Sequence, residues 1–299
     1  MPKIAEQSEV WDFEVVQEPV TRTNKGVSTV VENAFWNIRT DTDSVLGMTT
    51  KQYGLIQNRA LMESARKELN ARGLTSFSES CLVSDGGARF NALMTFKDKT
   101  LALKTGDQVG YQFSLQNSFD RTKRTSLLLG FLRLACFNGA CTLDQEFEVT
   151  KKHNKDLTLD FMGSAIERAV ESAPKALLAF DDLAKTPIKM IEGVNALNQL
   201  KDTGVISGSL LNCFQANWLQ PRRKEDEKRN LWTFWNACTE HLTHAVRGVR
   251  FEYAEKVNSA LLETLHSAAT VPAIFAKLVS PVTGKGIASM TASGPVIDV

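Results

Sequence analysis

The sequence predicts an α+β fold: an antiparallel strand-hairpin-strand sheet followed by a buried helix, with a mostly helical C-terminal half. Three observations carry this. Apolar side chains alternate at period two through Phe90, Ala92, Met94 and Phe96, and again through Val109, Tyr111, Phe113 and Leu115. An apolar run, TSLLLGFLRLACFNGA, follows a polar loop. From residue 156 onward, Pro and Gly punctuate segments with helical spacing.

In chain order, residues 1–24 read as an acidic flexible leader, with Lys3 the only base among residues 1–20 against Glu6, Glu9, Asp12, Glu14 and Glu18. Residues 25–155 form the mixed α+β core. Within it Val27–Ile38 is a strand by its β-branched and aromatic content. A helix follows, with Leu61, Ala65 and Leu69 as its apolar stripe and Gly73 as its stop. Strands are expected at Ser76–Val83, Ala88–Phe96, Leu101–Leu103 and Val109–Gln116, and a buried helix at Ser126–Phe137, closed by Asn138-Gly139. Residues 156–279 are a helical region packed on the core, with breaks near Pro174, Pro187, Gly204, Gly208 and Gly248. Its aromatic set, Trp218, Trp232, Phe234, Trp235 and Phe251, reads as core. Residues 280–299 are rich in Gly, Ser, Thr and Pro and read as a flexible tail.

Composition narrows the classes. With 299 residues, 43% of them hydrophobic and 23% charged, the chain has enough apolar side chain for a full core. No apolar run approaches the roughly 18 residues that cross a bilayer, and no basic start precedes an apolar segment as in a secretion signal. Five scattered cysteines suit reduced thiols, so a cytoplasmic setting is expected. Lys and Arg total 35 against 34 acids, a balance that argues against indiscriminate coating of nucleic acid.

That balance conceals a basic stretch. Between residues 121 and 155, Arg121, Lys123, Arg124, Arg133, Lys151, Lys152 and Lys155 face only Asp144, Glu146 and Glu148. Such groups at a sheet end can track a phosphate backbone; they can equally form a solvated surface loop. Asn117 and an exposed Phe119 are further candidates, the latter as a platform for stacking a base, although turn and core roles fit each of them singly. The acidic leader would compete for the same groove, so removing residues 1–20 should tighten binding.

Other signatures are weaker. Cys238, His241 and His244 form a C-x-x-H-x-x-H run, but a helix sets i and i+6 well apart, so packing or capping roles are favoured and no metal is expected. Phosphate-loop, dinucleotide, nucleophile-elbow and zinc-protease motifs are missing, so no catalytic residue and no cofactor is assigned.

Successive blocks are similar to a phage/plasmid-like family of domains of unknown function. Tyr53, Gln57 and Asn58 fit its first block, Asn117, Ser118 and Asp120 its second, Arg133, Cys136 and Asn138 its third, and His153 its basic-His segment. Asn236, Thr239 and His244 resemble a C-terminal block. Two departures stand out: Phe119 replaces the family's His, and Arg121 its Gly. The order of elements also resembles the core of phage single-strand annealing recombinases, a fold-level analogy.

These resemblances imply a phage- or plasmid-encoded protein that binds single-stranded DNA and anneals complementary strands without ATP. A homo-oligomeric ring or filament is expected, with the C-terminal tail recruiting a host single-strand-binding protein. Two other classes stay open. One is a mobile-element regulatory protein that binds a host protein and has no DNA affinity. The other is a dispersed-carboxylate nuclease using Asp85, Asp120 and Glu148.

Overall fold

The computed structural model describes residues 11–104, 106–133, 138–140, 148–244 and 251–282. The chain divides into two compact units between Ala179 and Phe180.

The first unit opens with three antiparallel strands in the order β1-β2-β3: β1 (Val15–Asn24), β2 (Val27–Arg39) and β3 (Ser44–Thr49). Lys25 and Gly26 make the two-residue turn between β1 and β2, both with positive φ, which matches the right-handed twist of the strands it joins. The acidic segment expected to be a loose leader is therefore largely built into the fold. Trp11, Phe13 and Val15 are buried, and residues 15–24 pair with β2. Residues 1–10 lie outside the described residues.

Helix α1 (Asn58–Ala71) follows, with Leu61, Met62, Ala65 and Leu69 fully buried. A second antiparallel sheet runs β4 (Ser78–Ser84), β5 (Arg89–Ala102), β6 (Gln108–Ser118) and β7 (Thr125–Arg133). Two short strands, β8 (Asn138–Ala140) and β9 (Glu148–Lys151), pair with opposite halves of β7. The alternation that predicted β5 and β6 holds, with Phe90, Ala92, Met94, Phe96, Val109, Phe113 and Leu115 buried.

At 126–133 the expectation of a helix is corrected. This segment is β7, in register with β6 from Val109↔Arg133 to Gln116↔Ser126. A central strand covered on both faces reads as a continuous apolar run, which periodicity alone does not separate from a buried helix. Residues 134–137, the end of the expected helix, are outside the described residues.

The mostly helical C-terminal half is as expected. Helix α2 (Phe161–Lys185) is one helix carrying Pro174 inside it, where a break was expected, and it runs across the boundary between the units. The second unit continues with α3 (Met190–Asp202), α4 (Gly208–Leu219), α5 (Leu231–His244), α6 (Phe251–Thr270) and α7 (Pro272–Val279). Trp218, Trp232, Phe234 and Trp235 are buried as expected, and Phe180 packs between Trp232 and Trp235 at ring distances of 5.2 and 5.6 Å. The side chains of Phe251 and His244 and the tail from residue 283 are outside the described residues. No helix among the described residues is long and apolar enough to cross a membrane.

Candidate nucleic-acid interface

Two glycines let three chain segments meet at one end of the second sheet. A Cβ on Gly54 would lie 2.0 Å from the Asn154 carbonyl oxygen, and one on Gly47 would lie 2.7 Å from the Asp120 Cα. The stretch from β3 to α1 is thereby held against both the loop after β6 and the loop after β9.

Side-chain amides then fasten these segments. Gln57 grips the backbone of Val15 twice, donating to its carbonyl at 2.7 Å and accepting from its N–H at 3.0 Å. Asn58 donates to the Trp11 carbonyl and accepts from Asn117, which also donates to the Ile56 carbonyl. Asn37 donates to the Phe119 carbonyl at 2.6 Å, and the Tyr53 hydroxyl to the Ser118 carbonyl at 2.5 Å. Each bond satisfies a buried polar group that would otherwise cost about 1–3 kcal/mol. Burial, reinforced by the charge of Asp120, pushes the Tyr53 phenol above its ordinary range, so it stays a neutral donor.

His153 completes the joint. Its ring stacks on Tyr53 at 4.8 Å, Nδ1 lies 3.0 Å from the Gly54 carbonyl, and Nε2 lies 3.2 Å from the Thr125 hydroxyl. A carbonyl only accepts, so Nδ1 carries the proton of the neutral ring and Nε2 takes the hydroxyl. Burial lowers the His153 pKa below its usual 6.5, partly offset by the Gly54 bond. Below that pH the unfolded chain binds a proton that the folded chain resists. Stability is therefore complete above about pH 6.5 and falls by about 1.4 kcal/mol per pH unit until the folded pKa is reached. His153→Gln is expected to remove this component; denaturant melts between pH 7.5 and 5 that keep the same slope in both proteins would contradict it.

The expected binding residues now separate. Phe119 is fully buried against Phe13, their ring centres 6.0 Å apart, so it is no stacking platform. Asn117 is buried in the amide network. Arg133 is buried too, its guanidinium bonded to both carboxylate oxygens of Asp107 at 3.0 and 3.2 Å. It lies eight residues along β7 from Thr125, about 26 Å from the joint at strand spacing. These three are corrected from surface contacts to internal ones.

The remaining cations do gather. Pairing of Thr125 with Lys151 between β7 and β9 sets Arg124 beside Lys152 at the same sheet end. Arg121, Arg124, Lys151, Lys152 and Lys155 are exposed and Lys123 is half-buried; no ion pair within 4.0 Å is formed by any of them among the described residues. The Lys151 ammonium rests 5.8 Å from the Phe161 ring centre. Lys151, Lys152 and Asn154 border an open pocket of about 280 Å³, whose wall also includes Asp156.

The turn that presents Arg121 is tightly held. Asp120 accepts from the Thr122 N–H at 2.9 Å and from its hydroxyl at 2.5 Å, while the Ser118 hydroxyl bonds both N–H and carbonyl of Lys123 at 3.0 Å. Arg121 itself has φ of 68°, the left-handed region that glycine fills without strain and that costs another residue about 1–2 kcal/mol.

A family model described as domain of unknown function (DUF932) matches residues 45–266. The chain belongs to this family. In this DUF932 protein, residues that carried the sequence resemblance, namely Tyr53, Gln57, Asn58, Asn117, Ser118, Asp120 and His153, converge on the joint just described. No curated protein and no solved structure matches the chain. The likeness to annealing recombinases loses the element order that suggested it, because β7 occupies the place of the expected helix.

Two of the three carboxylates suggested for a nuclease are engaged elsewhere. Arg89 stands between Asp85 and Asp120, at 3.1 and 3.3 Å. The Glu148 side chain is outside the described residues. Cys238, from the C-x-x-H-x-x-H run, is buried, and burial raises its thiol pKa. His241 meets the Phe214 ring edge to face at 6.3 Å.

What sequence reasoning missed are the long-range clamps: Asn37, Gln57 as a partner for Val15, Arg89, and the two close-approach glycines. Each acts on a residue dozens of positions away, as with Asn37 and Phe119, 82 positions apart, and no local pattern marks them.

Proposed function

We propose that this is a phage- or plasmid-encoded protein that binds single-stranded DNA along the ridge of Arg121, Lys123, Arg124, Lys151, Lys152 and Lys155, and promotes strand pairing without ATP. The observation that supports this reading is the meeting, at one sheet end, of two basic segments that share no ion pairs with described carboxylates. Cations left unneutralised by the protein release counterions from a phosphate chain when they bind it. Arg121 adds to the argument, because a long cationic side chain is held at a strained backbone position on the solvent side of the ridge.

With Phe119 turned inward, the ridge grips phosphates and leaves bases free to find a complement. Strand annealing needs that property. The pocket beside Phe161 is sized for a phosphate or a sugar rather than a whole oligonucleotide.

Fluorescence anisotropy with labelled single strands tests this. For five or six phosphate contacts the log affinity should fall against log salt with a slope of about −4, about 250-fold between 50 and 200 mM. Replacing Arg121, Arg124, Lys151 and Lys152 by Ala should flatten that slope by about 3 and remove most low-salt binding. Failure of the unaltered protein to bind at low salt would instead favour a protein partner, and strand shortening in magnesium would favour a nuclease.

A further inference from the structure

The first sheet has one inward face, fastened by polar side chains beside the buried Val15 and Leu46, and one open face that carries an apolar stripe. Inward, Gln17, Asn37 and Thr49 bond one another, and Asn37 reaches the Phe119 carbonyl. Strand pleating therefore sends their neighbours outward. Two cross-strand rows result: Val16 beside Ile38 beside Val45, and Glu18 beside Trp36 beside Met48. Five of these six side chains are apolar. Val45 and Met48 are 56% and 51% exposed, and Val16, Trp36 and Ile38 are half-buried. An apolar stripe that crosses three strands and reaches solvent at Val45 and Met48 is suited to association.

Beyond this face the hairpin continues as an arm. Val20 opposes the four residues 31–34 in a bulge where Asn33 takes φ of 57°, and from there to the turn the arm is exposed on both faces. Val27 and Val30, each 64% exposed, point to opposite sides. A free two-stranded ribbon is marginal in water without a partner.

Charge is divided along the hairpin. The arm from residue 19 to 31 carries Arg22 and Lys25 and no acid, and the exposed Glu18 and Glu32 stand at its base. At the opposite end Glu14 and Asp43 are exposed, while Asp41 is neutralised by two bonds from Arg39.

We propose that this face docks a second copy of the chain, with the two hairpins antiparallel about a two-fold axis. Apolar stripe then covers apolar stripe, and Arg22 and Lys25 of each copy meet Glu14 and Asp43 of the other. A basic tip suits nucleic acid as well, but Val27, exposed on the same side of the ribbon as Arg22, finds its match in a protein surface. A two-fold contact must be complementary to itself, and a sheet that is acidic at one end, mostly apolar in the middle and basic at the other meets that condition.

Light scattering after gel filtration, over a hundredfold range of concentration, tests this independently of any DNA binding. The unaltered chain is expected as a dimer or a multiple of one. Val45→Glu with Met48→Glu should yield monomers with an unchanged circular dichroism spectrum and melting temperature, since both side chains face solvent within one copy. Arg22→Glu with Lys25→Glu should weaken self-association at least tenfold. Adding Glu14→Lys and Asp43→Lys to that protein should restore it. A monomer at every concentration overturns the proposal. So does loss of DNA affinity in Arg22→Glu/Lys25→Glu at unchanged mass, which would assign the arm to nucleic acid.

Discussion

Removing residues 1–20 is expected to unfold the first unit, and with it any DNA binding. The deletion takes away Trp11, which packs 5.6 Å from Phe90, Phe13, whose ring lies under Arg39 at 3.9 Å and beside Phe119, and the buried Val15. Loss of one buried aromatic costs about 3–5 kcal/mol, and two of them approach the whole stability of an ordinary domain, about 5–15 kcal/mol. The loss extends past the core. β2 loses its pairing with residues 15–19 on one side, the Asp12–Arg59 ion pair goes, and Gln57 keeps two buried polar atoms with nothing to bond. Circular dichroism melts provide the check, with a truncation of residues 1–10 as the reference that spares all of these contacts. A native melt combined with tighter single-strand binding would show instead that the acidic segment is a competitor for the ridge.

Among the described glycines, Gly54→Ala is expected to be the most damaging addition of a single methyl. The new carbon would sit 2.0 Å from the Asn154 carbonyl oxygen, a backbone atom that no rotamer change can move. The loop after β9 must shift. In shifting it breaks the Gly54 N–H bond to the His153 carbonyl, the Nδ1 bond back to Gly54, and the stack on Tyr53. Overpacking of this kind costs about 1–3 kcal/mol before the buried bonds are counted, so a total of about 4 kcal/mol is expected. Because Lys151 and Lys152 lie on the displaced segment, salt-dependent binding should also weaken in whatever fraction remains folded. A melting temperature within a degree or two of the unaltered protein would contradict the close approach.

The legible parts of the fold are those with local periodicity. Phe90 to Phe96 and Val109 to Leu115 alternate cleanly because one side of each strand is buried, and the C-terminal helices have Pro and Gly at their limits. β1 was hidden by its exposure, since a two-sided ribbon containing Glu18, Pro19 and Arg22 has no apolar face to betray it. β7 failed for the opposite reason, its middle from residue 127 to 132 having no polar side chain. At the interface the basic residues were visible as two runs in the sequence. Their meeting was not, because it depends on the register of β7 with β9. Nor could adjacency in sequence show that Phe119 turns inward between Ser118 and Asp120, both of which brace the turn.

The grip of Gln57 on Val15 also bears on solubility. A strand at the margin of a sheet offers its N–H and C=O groups to any extended chain it meets, and such margins seed aggregation. At Val15 both groups are already taken by a side-chain amide, which imitates a neighbouring strand yet cannot propagate the ladder. One glutamine thus caps the margin at the start of β1 against edge-on growth, while the apolar stripe beside it remains open for association.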